Sequence, residues 1–250
     1  WGEDGIAGFS DDRQRLCLAL AMWNGRDPIL KERFFGVTNS EGNHGEDVKE
    51  YYFYVDVTPT HSYMRMIYKY PQAEFPYRDL VETNRSRGRD QFEYELLDSG
   101  VFAQERYFDV EVEYAKASPE DILVRITATN KGPEAASLEI LPHFWFRNTW
   151  SWGTPAGQKP VVKPEIRAVY GRGEHGPHIE GTEPFHGKLQ IWLDGAKDLV
   201  FCDNETNTQV LYDSPNKTSY PKDAFHSAVC KGQRSAASPA RAGTKAAGRF

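Results

Sequence analysis

The side chains with the greatest potential for ligand chemistry lie between residues 145 and 152. The segment reads Trp-Phe-Arg-Asn-Thr-Trp-Ser-Trp and supplies five candidate substrate-binding residues: Trp145, Arg147, Asn148, Trp150 and Trp152. Aromatic faces stack on the C–H faces of a sugar, while Arg and Asn hydrogen-bond its hydroxyls. In an extended strand Trp150 and Trp152 would project to the same side. The pattern indicates carbohydrate binding; the alternative is that the tryptophans pack in the core and Arg147 pairs with a carboxylate.

Carboxylates are abundant, but their spacing does not identify a catalytic pair. Cleavage of a glycosidic bond requires two carboxyl groups on opposite sides of that bond. The chain has 36 acidic residues, and the adjacent Glu3 and Asp4 lie in a glycine-flanked segment where their side chains would diverge. We therefore assign no catalytic residue from the sequence.

Glu41, His44, Glu46 and Asp47 lie in one short glycine-rich loop, and oxygen and imidazole ligands so close together could hold a metal ion. The spacing matches neither an EF-hand loop nor a zinc motif, so the sequence favours a loop whose carboxylates cap the next segment. We predict no metal and no cofactor.

A second loop brings histidines and glutamates together. Two histidines and a glutamate could act as base and acid on an anomeric centre, as in a mutarotase. The candidates are His175, His178 and His186 with Glu174, Glu180 and Glu183. A glycine-rich loop does not set their geometry, and surface histidines are common.

The elements that position these residues are predicted to be mainly β-strands. Val110, Val112 and Tyr114 alternate with acidic residues, which is typical of a strand with one buried face. Two further runs separated by Pro and Gly turns predict an antiparallel meander over 107–152. Other strands are predicted at 51–57, 63–70, 165–170, 188–193 and 199–202, with a possible strand at 209–212. Residues 15–23 could be strand or helix, and Pro76–Gly88 is the best helix candidate.

Composition excludes several classes of function. A net charge of −6 disfavours nucleic acid as a partner, and no apolar run is long enough to span a bilayer. Three scattered cysteines indicate neither a disulfide framework nor a zinc site and favour a cytoplasmic location. Residues 231–250 are basic and carry no acid, which is typical of a solvated tail.

Several longer segments together resemble a known family. They include Trp-Gly-Glu-Asp-Gly-Ile-Ala-Gly from residue 1, Trp-Asn-Gly-Arg-Asp-Pro from residue 23 and Thr-Asn-Ser-Glu-Gly-Asn-His-Gly-Glu-Asp from residue 38. Tyr-Lys-Tyr-Pro-Gln-Ala from residue 68, the 145–153 segment and Tyr-Pro-Lys-Asp-Ala-Phe-His from residue 220 complete the pattern. This chain resembles the amino-terminal part of bacterial family 63 glycoside hydrolases, which are glucosidase-like or mannosyl-oligosaccharide-glucosidase-like.

The resemblance implies an antiparallel β-supersandwich, of the galactose-mutarotase type, over residues 1–230, followed by an interrupted strand or tail over 231–250. It also implies that an (α/α)6 barrel, absent here, carries the acid and base of an inverting glycosidase. The expected partners are an oligosaccharide and that barrel, without nucleic acid or membrane. On this interpretation the chain is a non-catalytic fragment; a stand-alone carbohydrate-binding module and a mutarotase-like enzyme are the alternatives.

Overall fold

The computed structural model describes residues 5–45, 47–154, 156–157, 159, 161–170 and 178–250. The fold is mainly β, as predicted, and every strand pair with a described register is antiparallel. The strands are β1 (Ile6–Ser10), β2 (Leu16–Trp23), β3 (Gly36–Val37), β4 (Asp47–Val48), β5 (Tyr52–Val57), β6 (Tyr63–Pro71), β7 (Tyr107–Ser118), β8 (Asp121–Asn130), β9 (Glu139–Phe146), β10 (Glu165–Val169), β11 (His178–Glu183), β12 (Gly187–Trp192), β13 (Asp198–Cys202), β14 (Ala242–Gly243) and β15 (Lys245–Arg249).

The helical elements are short. The α-helices are α1 (Tyr77–Ser86), α2 (Thr208–Tyr212) and α3 (Ala224–Cys230). Single 3₁₀ turns cover Asn39–Glu41, Leu96–Ser99, Ala103–Glu105, Trp150–Trp152 and Arg234–Ala236. The chain divides into two compact units, which we call unit 1 (residues 1–7 and 24–138) and unit 2 (residues 8–23 and 139–250).

Unit 1 is built on a four-stranded sheet in the order β5-β6-β7-β8. Alternation along β7 buries Phe108, Val110, Val112 and Tyr114 on one face, as the period-two pattern predicted. The predicted helix is confirmed as α1, which buries Leu80 and Asn84 one turn apart.

Unit 2 contains the sheet β12-β11-β10-β14 and, except for Ile6 and Ala7 of β1, the sheet β1-β2-β9-β15-β13. Their facing side chains share one apolar core: Phe146, Ile166, Ile179, Leu199, Phe201 and Ala246. This is the arrangement of a β-sandwich. Residues 245–249, in the basic segment, form β15, which pairs with β9 on one side and β13 on the other.

Several local predictions were wrong. The loop predicted around His178, Glu180 and Glu183 contains strand β11 (His178–Glu183). The meander has only two of its three predicted strands, because β9 pairs with β2 and β15 in unit 2 instead of with β8. Residues 141–144 of β9 are all buried, which suits a central strand. The strand predicted at 209–212 is helix α2, capped by the Asn207 side chain, which accepts from the Val210 N–H. Trp150 and Trp152 lie in a 3₁₀ turn and not in extended backbone.

Candidate functional site

The tryptophan-rich segment leaves the core of unit 2 at the end of β9 and turns sharply. The Arg147 N–H donates to the Arg15 carbonyl at 2.8 Å, which is the last main-chain bond to the β2 side. The Asn148 side-chain oxygen then accepts from the Ser151 N–H at 3.2 Å. An Asn side chain that bonds to backbone three residues ahead favours a turn over a strand. This bond therefore accounts for the 3₁₀ turn at Trp150–Trp152.

The Glu205 side chain holds this turn through hydrogen bonds. Its carboxylate accepts a hydrogen bond from the Trp150 Nε1–H at 2.6 Å and another from the Asn148 amide at 3.0 Å. The Asn148 amide also donates to the Asn204 carbonyl at 2.8 Å. Glu205 is 8 % exposed, so these donors satisfy a nearly buried charge. The polar groups of Asn148 and Trp150 are thus engaged within the protein.

Of the other predicted binding residues, some pack inside the protein and others are exposed to solvent. Trp145 is partly buried within β9, where its ring lies 5.0 Å from that of His143. Trp150 packs against the unit 2 core. Trp152 is 67 % exposed, and the Arg147 guanidinium lies over its ring at 5.3 Å. Of the five predicted contacts, Arg147 and Trp152 therefore form the solvent-facing surface, which we call the Trp152 surface.

Glu205 was missed by sequence reasoning. It lies in Asn204-Glu205-Thr206, a segment that attracts notice only as a glycosylation triplet. A carboxylate between two polar residues gives no sign of its partners, which are more than fifty residues away in the chain.

The histidines of the second predicted cluster do not converge. His178 begins β11, where its ring stacks on Trp192 and its Nε2 lies 3.4 Å from a Glu180 oxygen. His186 lies in the turn at the other end of the β11–β12 hairpin, 3.3 Å from an Asp11 oxygen. His175 and Glu174 lie outside the described residues. The described histidines thus lack the shared geometry that a mutarotase would need.

An acidic cluster in unit 1 surrounds a lysine. Carboxylate oxygens of Asp47, Glu93 and Glu95 lie within 4.8 Å of one another. The Lys49 ammonium, fully buried, contacts all three at 2.6, 3.2 and 3.1 Å. Burial lowers the pKa of Lys49, but hydrogen bonds to Asp47 and Glu95 and the attraction of their charges together outweigh it, so the pKa is raised. Of the predicted metal loop, only Asp47 belongs to this cluster, and Glu46 lies outside the described residues.

Unit 1 also encloses a network of ionisable groups. The Lys31 ammonium donates to Glu50 at 2.8 Å, and the Tyr68 hydroxyl donates to the other Glu50 oxygen at 2.5 Å. Asp27 accepts from the hydroxyls of Tyr70 and Tyr77 at 3.0 and 3.1 Å. Burial raises the pKa of both Asp27 and Glu50 despite the attraction of Lys31.

These carboxylates are poor candidates for catalysis. The Glu50 side chain is 0 % exposed, so a substrate cannot reach it. An open cleft of about 510 Å³ lies nearby, lined by Glu74, Asp79 and Glu82 among others. Asp79 and Glu82 are on one face of α1 and are bonded to Tyr94 and Arg78 respectively. Asp79 and Glu82, on a single helix face, therefore do not flank a bond from opposite sides.

Comparisons with known proteins identify one long relative. The chain is 40 % identical, over 273 aligned positions, to the uncharacterized protein YMR196W of Saccharomyces cerevisiae. The alignment covers 98 % of this chain and 25 % of the yeast protein, so the chain spans about a quarter of that relative's length. No family model matches the chain. No solved structure matches it either.

The helices of the described residues are also too short or too polar to cross a membrane.

Proposed function

We propose that this chain is a non-catalytic, carbohydrate-binding β-domain of a longer glycosidase-like polypeptide. The observation that carries the proposal is the Trp152 surface, where an aromatic ring is 67 % exposed beneath an arginine on a turn that Glu205 holds in place. An ordered aromatic face offers a sugar a stacking surface at low entropic cost.

The described carboxylate clusters support a non-catalytic role for this chain. Asp47, Glu93 and Glu95 surround Lys49, whereas Glu50 is enclosed with Lys31. The alignment with one quarter of a longer yeast protein is compatible with catalytic groups that lie elsewhere in a larger polypeptide. The domain's role would then be to shape one wall of an oligosaccharide cleft.

An NMR titration of the chain with maltoheptaose tests the binding surface. We expect the Trp152 indole resonance to shift and Trp152→Ala to weaken binding by about tenfold, because the stacking surface is lost. Phe185→Ala is the matched control, since Phe185 is 64 % exposed beneath Arg15 in the same unit. Equal affinities for the parent and Trp152→Ala proteins would contradict the proposed surface.

A separate assay tests the absence of catalysis. Purified chain is expected not to hydrolyse p-nitrophenyl α-glucoside. Hydrolysis that disappears on Asp79→Asn or Glu82→Gln substitution would show that the chain is itself a glycosidase. In a longer polypeptide that contains the catalytic groups, Trp152→Ala should raise KM while kcat stays unchanged, as loss of uniform substrate binding requires.

A further inference from the structure

The outer face of the β10–β11–β12 sheet in unit 2 combines an ordered aromatic ring with polar side chains. The strand register pairs Trp192 of β12 with His178 of β11, and Gln190 of β12 with Glu180 of β11. Glu180 is also paired with Arg167 of β10. Cross-strand partners point to the same side of a sheet, so these side chains share one face. Residues of the opposite parity, including Ile166 and Ile179, point into the core. We call the outer group of Arg167, His178, Glu180, Gln190 and Trp192 the Trp192 platform.

Trp192 is held in position while much of its ring stays accessible. Its ring stacks on His178 with centroids 4.0 Å apart and an interplanar angle of 26°. His178 is 7 % exposed, whereas Trp192 is 49 % exposed. One side of the indole is thus supported by a buried ring, and a ligand that stacks on Trp192 has little side-chain entropy to remove.

Glu180 forms the polar centre of the platform. It accepts from Lys188 at 2.8 Å and from Gln190 at 3.1 Å, and the Arg167 guanidinium lies 3.8 Å away. Hydrogen bonds from Lys188 and Gln190 lower the pKa of Glu180 to about 2. Its carboxylate is therefore ionised at neutral pH and acts as a hydrogen-bond acceptor.

Among the described side chains of this face, the charges cancel. Lys188 and Arg167 are cationic, and Glu180 and Glu165 are anionic on the same side of the sheet. A surface without net charge does not favour nucleic acid or an anionic lipid. It favours a neutral ligand that carries many hydroxyl groups.

Spacing on the sheet matches such a ligand. Residues two apart on a strand are separated by about 7 Å, and neighbouring strands by about 5 Å. Trp192 and Gln190 are two apart on β12, and Glu180 lies across from Gln190. A sugar ring stacked on Trp192 would therefore place its hydroxyls, or those of the next ring, near the Gln190 amide and the Glu180 carboxylate.

We propose that the Trp192 platform is a second carbohydrate site, which binds neutral pyranose rings by stacking on Trp192 and hydrogen bonding to Gln190, Glu180 and Arg167. Its residues are distinct from those of the Trp152 surface, and it does not depend on the function proposed for that surface. His178 acts as a positioning residue that supports the indole.

The test is an NMR titration of the chain with maltoheptaose and, separately, cellohexaose, with indole resonances assigned through Trp→Phe variants. We expect at least one sugar to shift the Trp192 resonance saturably, and Trp192→Ala to weaken that binding by about tenfold. Gln190→Ala should weaken it by about threefold, because one hydrogen bond is removed. Phe185→Ala, at the other end of the same hairpin, is the matched control and should bind as the parent does.

The two sites give separable results. Persistence of the Trp192 shift in Trp152→Ala protein supports the platform even if the Trp152 surface binds nothing. Unchanged affinity in both Trp192→Ala and Gln190→Ala overturns the proposal, as does the absence of a Trp192 shift with both sugars. Near-ultraviolet circular dichroism of Trp192→Ala checks folding, and the exposed Gln190→Ala substitution gives an answer that is independent of Trp192 packing.

Discussion

Replacement of Lys31 by Met should destabilise unit 1 strongly and in a pH-dependent way. The Lys31 ammonium is 2.8 Å from a Glu50 oxygen, and their side chains are 1 % and 0 % exposed. At an effective dielectric constant of about 20, that separation corresponds to a Coulomb attraction of about 6 kcal/mol. The net loss is smaller, about 3–5 kcal/mol, because Glu50 can take up a proton once its partner is gone.

The sign of the pH dependence follows from Glu50. Burial already raises the pKa of Glu50 in the folded protein, and the attraction of Lys31 opposes that rise. Without Lys31 the folded-state pKa rises further, so the folded variant binds a proton more tightly than the unfolded chain does. Stability of the variant relative to the parent must therefore fall as pH increases from the raised Glu50 pKa of the folded parent through the still higher Glu50 pKa of the folded variant.

Urea unfolding followed by circular dichroism and fluorescence at pH 5 and pH 8 measures this effect. Lys31→Met should lose more free energy of unfolding at pH 8, and Lys31→Met/Glu50→Gln should recover much of the loss. Lys69→Met is the matched control: Lys69 contacts Asp109 at 2.6 Å and lies over Tyr107, but its side chain is 29 % exposed. That substitution should cost under about 1 kcal/mol. A Lys31→Met loss below about 1 kcal/mol at pH 8, or an equal loss at both pH values, would refute the reasoning.

Three further substitutions test the Lys49 cluster and the close contacts of two glycines. Lys49→Met removes the ammonium that contacts three carboxylates. Millimolar Ca²⁺ should therefore raise the melting temperature of the variant but not of the parent. If calcium leaves the melting temperature of both proteins unchanged, the carboxylates separate when the lysine is lost. Gly243→Ala should cost more than about 3 kcal/mol in thermal melts, because its Cβ would lie 2.2 Å from the Cys202 carbonyl oxygen. Gly248→Ala, which meets only the flexible Leu193 side chain at 2.8 Å, should cost clearly less, and equal losses would argue against the backbone clash.

Local patterns predicted β7 and α1 correctly. Alternation along β7 identified its buried face, and Pro76 with the spacing of Leu80 and Asn84 identified α1. In two short segments, side-chain hydrogen bonds produce a turn or a helix where the sequence predicted a strand. Asn148 accepts from the Ser151 N–H within the turn at Trp150–Trp152, and Asn207 caps α2. Both bonds compete with extended backbone.

The amino-acid sequence by itself determined the mainly β character of this protein and the short-range elements, because hydrophobic period and turn residues act within a few positions along the chain. Tertiary structure alone decided that β9 leaves its predicted meander to lie between β2 and β15, and that Glu205 holds Asn148 and Trp150. It also decided that Trp152 and Trp192 are exposed while Trp145 and Trp150 are partly buried. Strand pairing and ion contacts join residues far apart in the chain, and burial depends on what each side chain meets there.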